Sequence, residues 1–332
     1  MQPFAREPDY VTVLRDGTVK QINPLTGTEV WTVAGRANRP LGLASREPEL
    51  LDAGLAGRHC PFCETRYLET PPEKSRVIRR GDAWDTLYRN PAEELFATVA
   101  EFRRVPNLFE ILSFDYWHQN YGFELPERVR VRRDAYLASP EGRAHVLAVI
   151  GAKLRASGMT PDQIAALPED DRIARASGFF GGGHDLIVAR RHFVDGATHD
   201  SQLASSGTLS VDEHARFVSY TVESTRMAYD INRYARYVAV FQNWLKPAGA
   251  SFDHLHKQLV TIDERGAQHE ATLARLRGNP NLFNEAGPNY AARRNLVIAE
   301  SGHAVAFAGF GHRYPTIEIH STSESSDPWE QR

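Results

Sequence analysis

The chain has 332 residues, 42% hydrophobic and 24% charged, with a mean hydropathy of -0.44; this excludes fibrous, collagenous and wholly disordered classes and suggests about two domains. Thirty-nine Lys and Arg against 42 Asp and Glu leave a net charge of -3, and a pI near 6.5 gives no global pull toward nucleic acid or anionic membrane, so phosphate would need a local site. The stretch around Val146 to Ile150 is far short of the roughly 20 residues that span a bilayer, and Met-Gln-Pro-Phe-Ala-Arg-Glu at the start lacks a signal-peptide pattern, so a cytoplasmic protein with no membrane or nucleic-acid partner is expected.

In chain order, Tyr10 to Leu14 is β-rich, Asp16-Gly17 signals a two-residue turn, and Val19 to Ile22 returns. Asn23 to Gly27 forms a second turn before Glu29 to Val33, and Gly35 to Pro40 is a polar loop with two arginines three apart. The two cysteines are Cys60 and Cys63, in Cys-Pro-Phe-Cys, which excludes a disulfide framework. Their spacing suits one tetrahedral metal, a redox pair at a helix start, or simple packing; a metal would need two more histidine or carboxylate ligands.

Thr98 to Arg103, Pro140 to Ala156 and Pro161 to Ala176 show helical spacing with Ser-Pro, Ser-Gly and Thr-Pro punctuation, so residues 98–176 read as a mostly helical block. Within it, Arg128 to Arg133 alternates arginine and valine; as a strand it would align Arg128, Arg130 and Arg132 on one face, solvated or paired with local acids. Gly181 to His184 is a glycine-rich entry to a buried strand at Leu186 to Ala189, and it is no P-loop because no Gly-Lys-Ser/Thr follows. Ser210 to Glu213 is a capping box. It opens a helix running to about Arg233, with Phe217, Thr221, Ser224, Ala228 and Ile231 along one side. Strands at Tyr237 to Phe241 and Leu255 to Ile262 complete an α+β core.

Chemistry concentrates between and within those last two strands. In a strand, His254, His256 and Gln258 project to one side, spaced by roughly 6.5–7 Å per pair. Such a face can simply meet water, but Gly249-Ala-Ser251 precedes it, and a loop of this kind can cradle phosphate oxygens while an imidazole attacks phosphorus.

Four segments, in order, resemble the galactose-1-phosphate uridylyltransferases of the histidine-triad (HIT) superfamily. Asn23 to Val33 with Arg36-Ala-Asn-Arg-Pro40 looks like the family's N-terminal signature. Cys60 to Cys63 with Thr70-Pro-Pro-Glu73 is similar to its zinc knuckle, and His184 to Val188, closing on His192, resembles its "H-E-V-I-V…P-x-H" strand. Finally, Phe241-Gln-Asn243 and Gly249 to Gln258 match its active-site loop and "H-P-H-x-Q" strand.

The resemblance implies an α+β, HIT-like antiparallel sheet with flanking helices. It makes His256 the nucleophile that forms a covalent nucleotidyl-histidine from a nucleotide sugar, and Gln258 the amide that hydrogen-bonds a phosphoryl oxygen. Asn243 and Ser251 become loop groups around the phosphates, and Arg36 and Arg39 approach the diphosphate. Cys60, Cys63, His192 and His254 become a structural zinc site, with His199 as substitute for His192 because the segment before His192 is one residue shorter than the family pattern and lacks its proline. Histidine-triad hydrolases carry a third histidine where Gln258 stands; an amide cannot shuttle a proton, which favours transfer to a phosphate acceptor over hydrolysis.

The expected activity is ping-pong nucleotidyl transfer between a nucleotide sugar and a sugar phosphate, of the UDP-glucose:hexose-1-phosphate type known from galactose metabolism, in a possible homodimer. The alternatives are a HIT-type nucleotide phosphorylase or hydrolase and a zinc-stabilised, non-enzymatic binding module. The expected domains are a core of residues 1–104 and 176–290, a mostly helical insertion at 105–175, and at 291–332 the start of a second, truncated HIT-like half.

Overall fold

The structure is a computed structural model describing residues 9–36 and 47–323. The chain divides into two compact units, Met1–Ser45 with Arg265–Arg332, and Arg46–Glu264. In the first, β1 (Val11–Val13), β2 (Val19–Ile22) and β3 (Glu29–Thr32) form an antiparallel sheet in sequential order. The turn into β2 is held by Asp16, whose carboxylate accepts from the Thr18 N–H and hydroxyl.

The second unit is built on a six-stranded antiparallel sheet. Its strands are β4 (Ser75–Arg80), β5 (Ala83–Leu87), β6 (Phe102–Pro106), β7 (His184–Ala189), β8 (Tyr237–Phe241) and β9 (His256–Ile262), in the order β5-β4-β6-β7-β9-β8. Between β6 and β7 lie α1 (Phe114–Tyr121), α2 (Glu127–Ala138), α3 (Pro140–Ala156), α4 (Pro161–Ala166), α5 (Glu169–Ala174) and α6 (Ser177–Gly181); α7 (Val211–Ile231) joins β7 to β8. The chain then returns to the first unit through α8 (Ala267–Gly278), α9 (Leu282–Ala286) and α10 (Pro288–Arg293), and ends in a meander of β10 (Val297–Glu300), β11 (Ala304–Ala308) and β12 (Ile317–Ser321). There Tyr10, Tyr290 and Phe310 pack ring to ring. Gly311 (φ 67°) approaches the backbone so closely that a Cβ would fall 2.0 Å from the Asn23 nitrogen, which excludes any larger residue.

The chain thus adopts the expected α+β class, with antiparallel sheets and flanking helices. Alternation splits the large sheet into two faces. On one, Phe217 and Tyr220 of α7 join Val77, Phe102, Ile187 and Leu259 in a buried cluster. On the other, Val105, Leu186 and Val188 pack on Cys60, Phe62 and Cys63. The Ser210 capping box forms as expected, with reciprocal bonds between Ser210 and Glu213. Four of the five residues expected along that helix are buried, together with Tyr220.

Three local expectations are corrected. Arg128 to Arg133 is not a strand but part of α2: Pro126 precedes the first turn, and Val129 and Tyr136, seven apart, turn a single helical face into the core of the helical block. Thr98 to Arg103 is not helical; Phe102 and Arg103 enter β6, whose pairing with both β4 and β7 overrides local preference. The Pro161 to Ala176 helix is broken in two at Leu167-Pro168, because proline cannot continue the backbone ladder. Among the described residues no helix is long and apolar enough to cross a membrane.

Candidate active site and metal centre

Strand register builds the site. In the β7–β9 pair, Val188 lies opposite His256 and Leu186 opposite Gln258, so both polar side chains project from the face that carries the cysteine turn. Phe62, between the two cysteines, packs edge-on to His256 with ring centroids 5.4 Å apart and contacts Phe252 at 4.5 Å.

His256 is buried, and its Nδ1 lies 2.7 Å from the His254 carbonyl oxygen. A carbonyl can only accept, so Nδ1 carries the proton and Nε2 keeps its lone pair. Burial pulls the imidazole below its ordinary pKa, which preserves the neutral, nucleophilic form. Gln258 is half-buried, with Oε1 3.0 Å from His184 Nε2.

His254 precedes β9 and turns to a different task. Its Nε2 donates to the Ala189 carbonyl at 2.6 Å, which leaves Nδ1 unprotonated beside the sulfurs, 3.5 Å from Cys60 Sγ and 3.8 Å from Cys63 Sγ. His192 Nδ1, from the loop after β7, sits 3.4 and 3.5 Å from the same two atoms, which are 3.8 Å apart. The four ligand atoms lie within 4.8 Å of one another and could hold a metal ion. Hydrogen bonding from Cys60 drives the Cys63 thiol down to about 2, and the Cys60 thiol rises in response. His199 is elsewhere, on a surface turn where it bridges Leu50 and contacts the Thr198 hydroxyl.

The remaining expected residues are less tightly placed. Asn243 is half-buried and Ser251 exposed, in the loop before β9. There Leu245 adopts φ 64°, ψ 171°, a backbone region that disfavours any residue but glycine and is concentrated at functional loops. Arg36 is exposed and lies in the first unit; Arg39 lies outside the described residues.

Sequence reasoning passed over the buried charges of this unit. Glu73 accepts from Arg76 Nε and Nη2 at 2.6 and 2.8 Å and also pairs with Arg103. Asp185 pairs with Lys74 Nζ at 2.6 Å and Arg104 Nη2 at 2.6 Å. Thr70-Pro-Pro-Glu73 therefore contributes a buried anion at the base of the sheet. It also passed over His184 as a partner of Gln258, which only the β7–β9 register reveals.

Residues 14–332 match the family described as "Domain of unknown function (DUF4921)". Over 296 residues the chain is 23% identical to an ADP-glucose phosphorylase of Arabidopsis thaliana, an alignment that takes in 88% of this chain and 62% of that protein. A crystal structure of an ADP-glucose phosphorylase from Arabidopsis thaliana with bound ADP-glucose superposes with a TM-score of 0.49 at 18% identity, over 92% of this chain and 69% of that one. A GalT-like protein from Arabidopsis thaliana gives 0.47 at 18%, over 92% and 68%. The chain belongs to the DUF4921 family.

Proposed function

We propose that this protein is a nucleotidyl-transfer enzyme acting on a nucleotide sugar through His256, with a phosphate-bearing acceptor. The observation that carries the reading is the His256 Nδ1 contact to the His254 carbonyl, which commits the ring's proton to one nitrogen and leaves the other for attack. The Nε2 lone pair forms a bond to the α-phosphorus as the P–O bond to the sugar 1-phosphate breaks, its electron pair leaving with that oxygen. An acceptor phosphate oxygen then attacks the same phosphorus, and the N–P bond breaks, returning the pair to Nε2. Gln258 donates to a phosphoryl oxygen and moves no proton. Asn243 and Ser251 supply donors for the phosphates.

Inorganic phosphate is the acceptor favoured by the similarity to an ADP-glucose phosphorylase, since a phosphorylase cleaves its substrate with phosphate. A sugar phosphate is the second reading, favoured by the uridylyltransferase-like motifs. The six-stranded sheet is the proposed catalytic core, with 105–175 inserted and 291–332 opening a second half; a homodimer belongs to the same proposal and is checked by light scattering.

The cysteine-histidine cluster fits zinc. A tetrahedral ion with Zn–S of about 2.3 Å and Zn–N of about 2.0 Å sets S···S near ~3.8 Å and S···N near ~3.5 Å, and the observed sulfur–sulfur spacing is 3.8 Å with sulfur–nitrogen spacings of 3.4 to 3.8 Å. Cys60, Cys63, His192 and His254 would hold it. With four protein ligands it would be structural, fixing the backbone that enters β9.

The test is incubation with a panel of α-labelled nucleotide sugars. Acid-labile, base-stable label on the wild type, discharged by phosphate or by a sugar phosphate, is expected and assigns the acceptor. No label from any donor rejects the covalent mechanism, and label released by water alone makes the protein a hydrolase.

A further inference from the structure

His184 opens β7, and its buried ring shares the sheet face of His256 and Gln258. The Ile111 backbone N–H meets its Nδ1 at 3.1 Å. A backbone N–H can only donate, so Nδ1 holds a lone pair and the ring's proton sits on Nε2. Two groups face that nitrogen, Gln258 Oε1 at 3.0 Å and Asn107 Nδ2 at 3.1 Å. Asn107 Oδ1 already accepts from the Phe109 N–H at 2.9 Å, so its amide turns a donor toward His184, and Gln258 Oε1 is the acceptor for the Nε2 proton.

We infer that His184 is a positioning residue for the transfer reaction: by engaging Oε1 it fixes the rotation of the Gln258 amide and leaves the NH2 end to meet a phosphoryl oxygen. An unanchored glutamine can present either end, and its oxygen would repel the phosphoryl group. Asn107 and the segment before α1 are part of the same device, because Ile111 selects the tautomer and Asn107 N–H donates to the His184 carbonyl at 2.8 Å. This inference rests on the proposed role of Gln258, and its test is chosen to fail separately from it.

The experiment is a double-mutant cycle on the single-turnover rate of protein labelling by α-labelled ADP-glucose or whichever donor labels the wild type, using His184→Phe, Gln258→Ala and the double variant. Each single change is expected to slow labelling by about 10- to 100-fold, and the double variant to be no slower than the slower single. Losses that multiply in the double variant, or a His184→Phe enzyme labelling at the wild-type rate, overturn the inference. His184→Gln, whose amide can also donate to Oε1, is expected to recover part of the rate and serves if the phenylalanine variant does not fold. If the wild type takes no label, the functional reading fails, but the orientation is still tested. The 15N side-chain signal of Gln258, identified by its loss in Gln258→Glu, must shift in His184→Gln; an unmoved signal overturns the inference.

Discussion

His256 Nδ1 lies 2.7 Å from the carbonyl oxygen of His254, so the backbone of one proposed metal ligand orients the imidazole two residues later. The coupling is local and covalent: His254 is held by the Ala189 carbonyl on one side and the cysteine sulfurs on the other. Stripping the metal should therefore cost both stability and nucleophile geometry. Cys63→Ser is expected to lose about one zinc per chain by metal analysis, to melt earlier, and to label more slowly. A variant that retains full zinc would break the four-ligand assignment.

His256→Asn separates chemistry from structure. The ligand atoms belong to other residues, so metal content and melting should stay close to wild type, while covalent labelling and turnover fall by at least about 10³-fold, the scale of losing a nucleophile. Label surviving in this variant would move the nucleophile elsewhere.

The sequence was most informative where chemistry and local pattern coincide. Asp16-Gly17, the Ser210 capping box and the alternation of β8 and β9 are short-range signals, and the structure realises each of them. Cys60, Cys63, His192 and His254 were brought together by resemblance alone, since 132 residues separate Cys60 from His192 and no local rule spans that distance. Arg128 to Arg133 misled because alternating arginine and valine mimics a strand's period of two, while the burial that decides is set by Val129 and Tyr136 at helical spacing. The pairing of Lys74 and Arg104 with Asp185, and of His184 with Gln258, depends on which strands become neighbours, information that propensity does not carry.

Asp185 tests the buried charge network. Burial alone would raise its pKa, but Lys74 and Arg104 outweigh that and hold it below the ordinary carboxylate value. Its side chain is 3% exposed and that of Lys74 is 2%, so Asp185→Asn leaves two cations without their anion. The expected loss is about 3–5 kcal/mol, read as a fall in the urea midpoint with the slope unchanged. A loss no larger than that of an exposed pair, such as Arg80 with Asp85, would show that the cations find other partners.

His145 ties the helical block to the segment that leads into β4 and should give folding a pH dependence. Its Nε2 donates to the Thr70 carbonyl at 2.8 Å, and the Tyr136 hydroxyl donates to Nδ1 at 2.6 Å, so the neutral ring is fully satisfied and a second proton has no acceptor. Burial lowers its pKa below the ordinary 6.5. As pH falls below about 6.5 the unfolded chain therefore binds a proton that the folded one refuses, and stability drops toward the depressed folded value by up to about 1.4 kcal/mol per pH unit. His184, whose pKa burial also lowers, contributes with the same sign. His145→Gln keeps an N–H for Thr70 but cannot titrate, so its loss of unfolding free energy between pH 7.5 and 5.5 should be smaller than that of the wild type, with the two curves converging toward acid pH. Parallel curves would mean that His145 takes up its proton in the folded protein as readily as in the unfolded chain.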